Sequence, residues 1–237
     1  YEENLDSCIV AVVTEERRLV MSFHGEEIVN ISRDFLDTNG VRGLQDVLIR
    51  EGLSDTDPFH SKVTSVEENL KQPNVASQIG LAEMFDASIG KSTVLMPFGG
   101  KYQLTETEGS VQKLPVFGFT NTCSIMTHGY HPELSLYSPY LGASYSVVEA
   151  LARVTAMGGN YETCRLTNQE YFERLHTDPE KWGKPMQALL GLIEAEMAFE
   201  TPAIGGKDSM SGTFNDISVP PTLITFAVTT EKTEHII

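Results

Sequence analysis

Residues 203–212 read "AIGGKDSMSG" and stand between "PMQALLGLIEAEMAF" (185–199) and "PTLITFAVTT" (221–230). The first flank places Leu189, Leu190, Ile193 and Met197 on one stripe at helical spacing. The second is apolar and β-branched, the composition of a strand. A helix, a glycine-rich turn and a strand in succession mark an α/β fold, so this stretch sets the class of the chain. Its residue types also suggest phosphate chemistry. Gly205 and Gly206 let a backbone approach a ligand with no Cβ in the way. Lys207 supplies positive charge, Asp208 can accept a hydroxyl or hold Mg²⁺, and Ser209 and Ser211 can donate to oxygens. A P-loop would need a glycine at position 201, which is Thr201. Two readings stand: a phosphate cradle, or a glycine-rich αβ connection with its polar residues in water.

A second lysine string, "SIGKST" (88–93), fails the same spacing test, because Phe85 stands where the first P-loop glycine belongs. It reads as a turn leading into the strand candidate "STVLMPFGG" (92–100), which breaks at Pro97. "KLPVFGF" (113–119) and "TCSIMT" (122–127) are further strand candidates. Ser138 and Pro139 form an N-cap and first-turn pair that opens a helix over "YLGASYSVVEALARVTAMGG" (140–159). Val147, Val148, Leu151 and Val154 repeat there at helical spacing. Thr167 and Glu170 have the spacing of a capping box, predicting a short helix at "EYFERLH". Toward the start, "CIVAVVT" (8–14) reads as a buried strand, and "RLVMSFHGEEIVNIS" (18–32) as a hairpin turning at His24-Gly25. Residues 33–62 read as a linker, and 63–77 as a short helix stopped by Pro73. The class is mixed α/β, several strands with a helical layer.

The bulk properties narrow the function classes. The chain has 237 residues, 41% of them hydrophobic, which is enough for a buried core. A net charge of −16 argues against a nucleic-acid face, which needs clustered Lys and Arg. No apolar run reaches the ~20 residues of a membrane span. Cys8, Cys123 and Cys164 are widely spaced, as in reduced thiols of a cytoplasmic protein. The opening "YEENLDSC" is expected to be an internal point of a longer protein.

Two further groups have chemistry to offer. Glu149 is the acid inside the apolar run "YSVVEALARV", either a Mg²⁺ ligand or one half of an i,i+4 ion pair with Arg153. The ion pair is the simpler reading. His128 and His131 flank "HGYH" in a loop where a metal pair would need a third ligand, so they read as loop histidines without a defined role.

The strings "GLAEMFDASIGKSTVLMPFGGKYQLT", "YSVVEALARVTAMGGN" and above all "PAIGGKDSMSG" resemble the long form of phosphoribosylformylglycinamidine synthase, along nearly the whole chain. That family contains two copies of a fold shared with aminoimidazole ribonucleotide synthetase, each with an α/β N-terminal half and a C-terminal half. The resemblance implies that residues 1–65 are the end of the first copy's C-terminal half plus a linker, and that 66–237 are the N-terminal-type domain of the second copy. It implies an ATP-dependent ligase of purine biosynthesis: ATP phosphorylates the amide oxygen of formylglycinamide ribonucleotide, and glutamine-derived ammonia displaces phosphate to give the amidine. The chain matches neither the glutaminase triad nor the first copy's ATP loop, so no catalytic residue is expected here and the piece alone is expected to be inactive. Gly205, Gly206, Lys207, Asp208 and Ser209 are implied as ligand-binding, and Glu149 as a metal ligand.

The implied partners are a nucleotide (ATP or ADP with Mg²⁺), the phosphoribosyl substrate, and the first synthetase copy and glutaminase domain of the same protein. A homodimer of the excised piece through the uncovered sheet is a further candidate. The metal pattern departs from the family at two places. Arg153 stands where the family's Glu-Ala-x-x-Asn ends in asparagine, and Thr122 stands where an aspartate precedes the cysteine. Weakened metal–nucleotide binding follows, with Arg153 in place of the metal's charge. Two alternatives remain: another ATP-dependent member of the superfamily, of the selenophosphate synthetase or thiamine-monophosphate kinase type, and a scaffolding module without nucleotide.

Overall fold

A computed structural model describes residues 3–38, 40, 43–50, 63–84 and 90–237. Phe85 and the first two residues of "SIGKST" lie outside the described residues, as do residues 51–62 of the expected linker. The chain forms two compact units, Tyr1–Leu44 and Gln45–Ile237.

The first unit is built on an antiparallel hairpin of β1 (Arg18–Phe23) and β2 (Glu26–Ser32). His24 and Gly25 both have positive φ, 50° and 85°, the two-residue turn whose twist matches the strands it joins. Ser32 caps the short helix α1 (Arg33–Leu36), its Oγ accepting the Phe35 N–H. The strand expected over 8–14 does not form; Ile9 and Val13 are 88% and 99% exposed. An extended apolar run becomes a strand only where a neighbour pairs its backbone groups, and no described segment does so here.

The second unit opens with two short helices, α2 (Val66–Leu70) and α3 (Ile79–Ala82), and a small ribbon of β3 (Phe98–Gly99) and β4 (Thr105–Glu106). Its body is a five-stranded sheet. The strands are β5 (Gly109–Lys113), β6 (Thr122–Gly129), β7 (Arg165–Tyr171), β8 (Ala203–Ser209) and, after a short ribbon of β9 (Thr213–Phe214) and β10 (Ile217–Ser218), β11 (Thr222–Lys232). The order across the sheet is β5-β6-β11-β7-β8, antiparallel except for the parallel pair β7–β8. That pair is joined through a helix, as a parallel connection requires.

Three helices complete the unit: α4 (Pro132–Tyr137), α5 (Pro139–Ala156) and α6 (Pro179–Phe199). Ser138 Oγ caps α5 by accepting the Leu141 N–H, with Pro139 in the first turn as expected. The buried face of α5, with Val147, Ala150, Leu151 and Val154, joins Val111, Ile125, Leu166, Leu223 and Ala227 of the sheet in one core. Val148, which the helical spacing places on the apolar stripe, is 40% exposed. Burial alternates along β6, β7 and β11, so one sheet face carries the core. The other presents Met126, Ile224, Phe226 and Val228 half-buried or exposed.

Several expected elements are displaced. "EYFERLH" is not a helix: Thr167 and Glu170 lie in β7, which is paired along its whole length with β11 and β8. Two flanking strands outweigh a four-residue capping signature. "KLPVFGF" is a loop after β5, where Pro115 lacks an N–H for the ladder and Gly118 has φ +95°. "STVLMPFGG" supplies only β3 and a single bridge, Thr93 to Gln112. Helix α6 starts six residues before the expected run, on an Asp178 cap. It buries small residues, Gly183, Ala188, Gly191 and Ala195, whereas Leu189, Leu190, Ile193 and Met197 are 40–75% exposed. All three cysteines are free, Cys8 exposed and Cys123 and Cys164 buried. Among the described residues, no helix is long and apolar enough to cross a membrane.

Candidate functional site

The register of the sheet gathers the polar motifs at one end. Gly129 of β6 pairs with Thr225 of β11, Thr225 with Asn168 of β7, and Asn168 with Gly206 of β8. Beyond that row lie the carboxyl ends of β6, β7 and β8, together with Glu108 at the start of β5. Three strand spacings separate Gly129 from Gly206, about 14 Å, so the motifs form two clusters.

The first cluster centres on Arg153. Glu149 and Arg153 are one turn apart on α5, with Nη2 2.8 Å from Glu149 Oε1. The Arg153 Nε lies 2.9 Å from Glu108 Oε2, and Nη1 donates to the His128 carbonyl at 2.8 Å and lies 3.3 Å from His128 Nε2. Glu149 Oε2 accepts the Tyr130 N–H at 2.8 Å, so both its oxygens are engaged. Glu108, His128 and Arg153 of this cluster wall a cavity of about 570 Å³, lined also by Leu95, Thr107, Gln112, Met126 and Phe226. His128 therefore lies in β6, not in a loop, beside Phe226 at 6.4 Å between ring centroids. His131 serves the fold, because its Nδ1 accepts the Leu134 N–H and caps α4.

The second cluster is "AIGGKDSMSG" itself. The stretch is a strand, not a turn: the connection from α6 is Glu200-Thr201-Pro202, with Glu200 left-handed at φ 56°, and β8 begins at Ala203. Gly206 is needed for packing, since a Cβ there would stand 2.4 Å from the Asn168 carbonyl oxygen. Successive strand residues point to opposite faces, so Lys207 and Ser209 share the uncovered face with Gln169 and Tyr171, whereas Asp208 shares the helix-covered face with Glu170. The expected trio is split two against one. Ser209 Oγ pairs with Ser211 Oγ at 3.0 Å.

Under α6, β7 carries a polar row that the sequence motifs do not announce. Asn168 and Glu170 are 7% and 6% exposed, and the Asn168 amide donates to Glu196 Oε1 of α6 at 3.2 Å. Burial, reinforced by the Asp208 charge, raises the Glu170 carboxyl to about 7. Burial also raises Glu196, opposed by the bond from Asn168. Glu170 Oε1 and Asn168 Oδ1 have no partner among the described residues. The alternation Leu166-Asn168-Glu170, taken as a strand face, is the signal that exposes this row. Nothing in the sequence points to Glu108.

A divalent metal does not fit at Glu149. Its carboxylate is taken by a guanidinium and a backbone N–H, and among the described residues no group of three or more His, Cys, Asp or Glu is arranged to hold a metal ion. Thr122 does not join Glu149: it stands at the opposite end of β6 from Gly129, seven residues or about 23 Å along the strand, and its Oγ1 accepts from Lys232 Nζ at 2.9 Å.

No protein-family model matches the chain. Among curated proteins, the phosphoribosylformylglycinamidine synthase subunit PurL of Lacticaseibacillus paracasei is 24% identical over 224 residues, 92% of this chain and 28% of that subunit. The PurL subunit of Pyrobaculum aerophilum is 27% identical over 160 residues, 67% of this chain and 21% of the subunit. Among solved structures, PurLQS from Thermotoga maritima matches with a TM-score of 0.68 at 16% identity, covering 94% of this chain and 33% of that one. T. maritima PurL complexed with ADP and complexed with FGAR match at TM-scores of 0.66 and 0.63, with 15% identity in each case and 94% of this chain covered. The chain thus spans between a fifth and a third of these PurL proteins. The resemblance carried by "PAIGGKDSMSG" and its neighbours is borne out, and so is the mixed α/β synthetase-type fold.

Proposed function

We propose that this chain, a relative of the phosphoribosylformylglycinamidine synthases, supplies one half of the synthetase core of an ATP-dependent ligase of purine biosynthesis. The observation that carries the reading is a sequence and fold match to PurL along more than nine-tenths of the chain. In that reading Tyr1–Leu44 and the following linker to about residue 65 end the first copy, and 66–237 form the N-terminal-type half of the second. The reaction transfers the γ-phosphoryl of ATP to the amide oxygen of formylglycinamide ribonucleotide, releasing ADP. Ammonia from glutamine then adds to that carbon, and phosphate leaves with the oxygen.

In this scheme the chain binds and orients and does not perform the chemistry. Lys207 has no ion-pair partner among the described residues and lies with Ser209 on the uncovered face, suited to a phosphate of nucleotide or substrate. Gly205 and Gly206 keep β8 slim beside them. The half-apolar uncovered face is the surface that meets the first copy, and in a lone fragment it meets a second fragment. The glutaminase domain completes the assembly, in the cytoplasm. The reading is tested by following ADP release from the intact protein with ATP, Mg²⁺ and ammonia. Release should require formylglycinamide ribonucleotide, and the 237-residue chain alone should give none. ADP release by the intact protein that is indifferent to that substrate would refute the reading.

A further inference from the structure

The structure assigns Arg153 the part of a built-in cation: it occupies the centre of a cluster of carboxylate, carbonyl and imidazole donors that is not arranged to hold a metal ion as it stands, and it keeps metal out of the cavity wall. Four groups converge on its guanidinium from three places in the fold. They are Glu149 Oε1 of α5 at 2.8 Å, Glu108 Oε2 before β5 at 2.9 Å, and the carbonyl and Nε2 of His128 in β6 at 2.8 and 3.3 Å. Two carboxylate oxygens, a carbonyl oxygen and an imidazole nitrogen are ligands that Mn²⁺ accepts. Each now faces one planar cation, whose side chain is only 24% exposed. A metal ion could bind there only by displacing that cation. Its like charge a few ångströms away opposes binding, and a partly desolvated site strengthens the repulsion. Removing the guanidinium leaves two carboxylates without a counter-charge around the space it filled. The Tyr130 N–H still fixes Glu149 through its other oxygen. As these side chains close on the vacated space, the wall becomes a divalent-cation site.

Only Glu108, His128, Tyr130, Glu149 and Arg153 are involved, so this role of Arg153 stands whether or not the ligase reading holds. Mn²⁺ titration followed by electron paramagnetic resonance, on the intact protein, tests it. Arg153→Ala should bind one Mn²⁺ more per molecule than wild type, Arg153→Lys no more than wild type, and Glu149→Gln added to Arg153→Ala should abolish the gain. In wild type, Glu149→Gln should leave the Mn²⁺ count unchanged, a comparison that needs no change at Arg153. The inference is overturned if wild type loses a bound Mn²⁺ on Glu149→Gln. It is equally overturned if Arg153→Ala, folded by circular dichroism, gains none.

Discussion

Glu170 shows how one buried residue couples stability to pH. Its carboxyl is raised to about 7 by burial beneath α6 and by Asp208 on the neighbouring strand. An acid raised in the folded state keeps its proton while the unfolded chain loses one. Stability is therefore full below the ordinary value of 4.5 and declines as pH rises toward 7. The slope is at most about 1.4 kcal/mol per pH unit for one group. Glu170→Gln, uncharged at every pH, should match wild type in thermal melts near pH 4 and exceed it by up to a few kcal/mol at pH 8. Equal melting curves for the two proteins across that range would show that Glu170 is not raised. At this scale, helical spacing reveals the i,i+4 pair of Glu149 and Arg153 but not the rest of the cluster. Glu108 is 41 residues from Glu149 in the chain and meets Arg153 only through sheet register, which residue spacing within one element does not encode.

Among the elements, those that carry their own local signals form where expected: the capped helix α5, the β-branched strand β11 and the His24-Gly25 hairpin. The displaced elements are those whose identity depends on a neighbour. β7 carries a capping signature but becomes a strand between two others, and the apolar run at 8–14 lacks a partner. Helix α6 is legible in the sequence but its buried side is not, because beside Leu192 that side is largely small or polar residues that apolar periodicity overlooks. Close approach to α5 is what demands Gly191. A Cβ at Gly191 would stand 2.1 Å from the Tyr140 carbonyl oxygen, part of a helix backbone that cannot step aside locally. Gly191→Ala should therefore destabilise the protein by about 1–3 kcal/mol in urea unfolding, despite alanine's higher helix propensity. An unchanged or higher midpoint would mean that the two helices are not locked at this crossing.

For the whole molecule, the central facts are a sheet covered on one face and a chain that spans at most a third of the PurL proteins it matches. The uncovered face, with Met126, Ile224, Phe226 and Val228, is a surface that the proposed core pairs with its other copy. The 237-residue chain expressed alone should accordingly elute as a dimer in size-exclusion chromatography at tens of micromolar, and Phe226→Glu should shift it to monomer. A monomer at every concentration contradicts that pairing surface. The proposed chemistry is tested most directly by isotope transfer in the intact protein. Formylglycinamide ribonucleotide labelled with ¹⁸O in the reacting amide, given ATP and ammonia, should pass its label to inorganic phosphate as the amidine forms. Amidine formed with the label released to water instead of phosphate, or no amidine at all, would contradict the account.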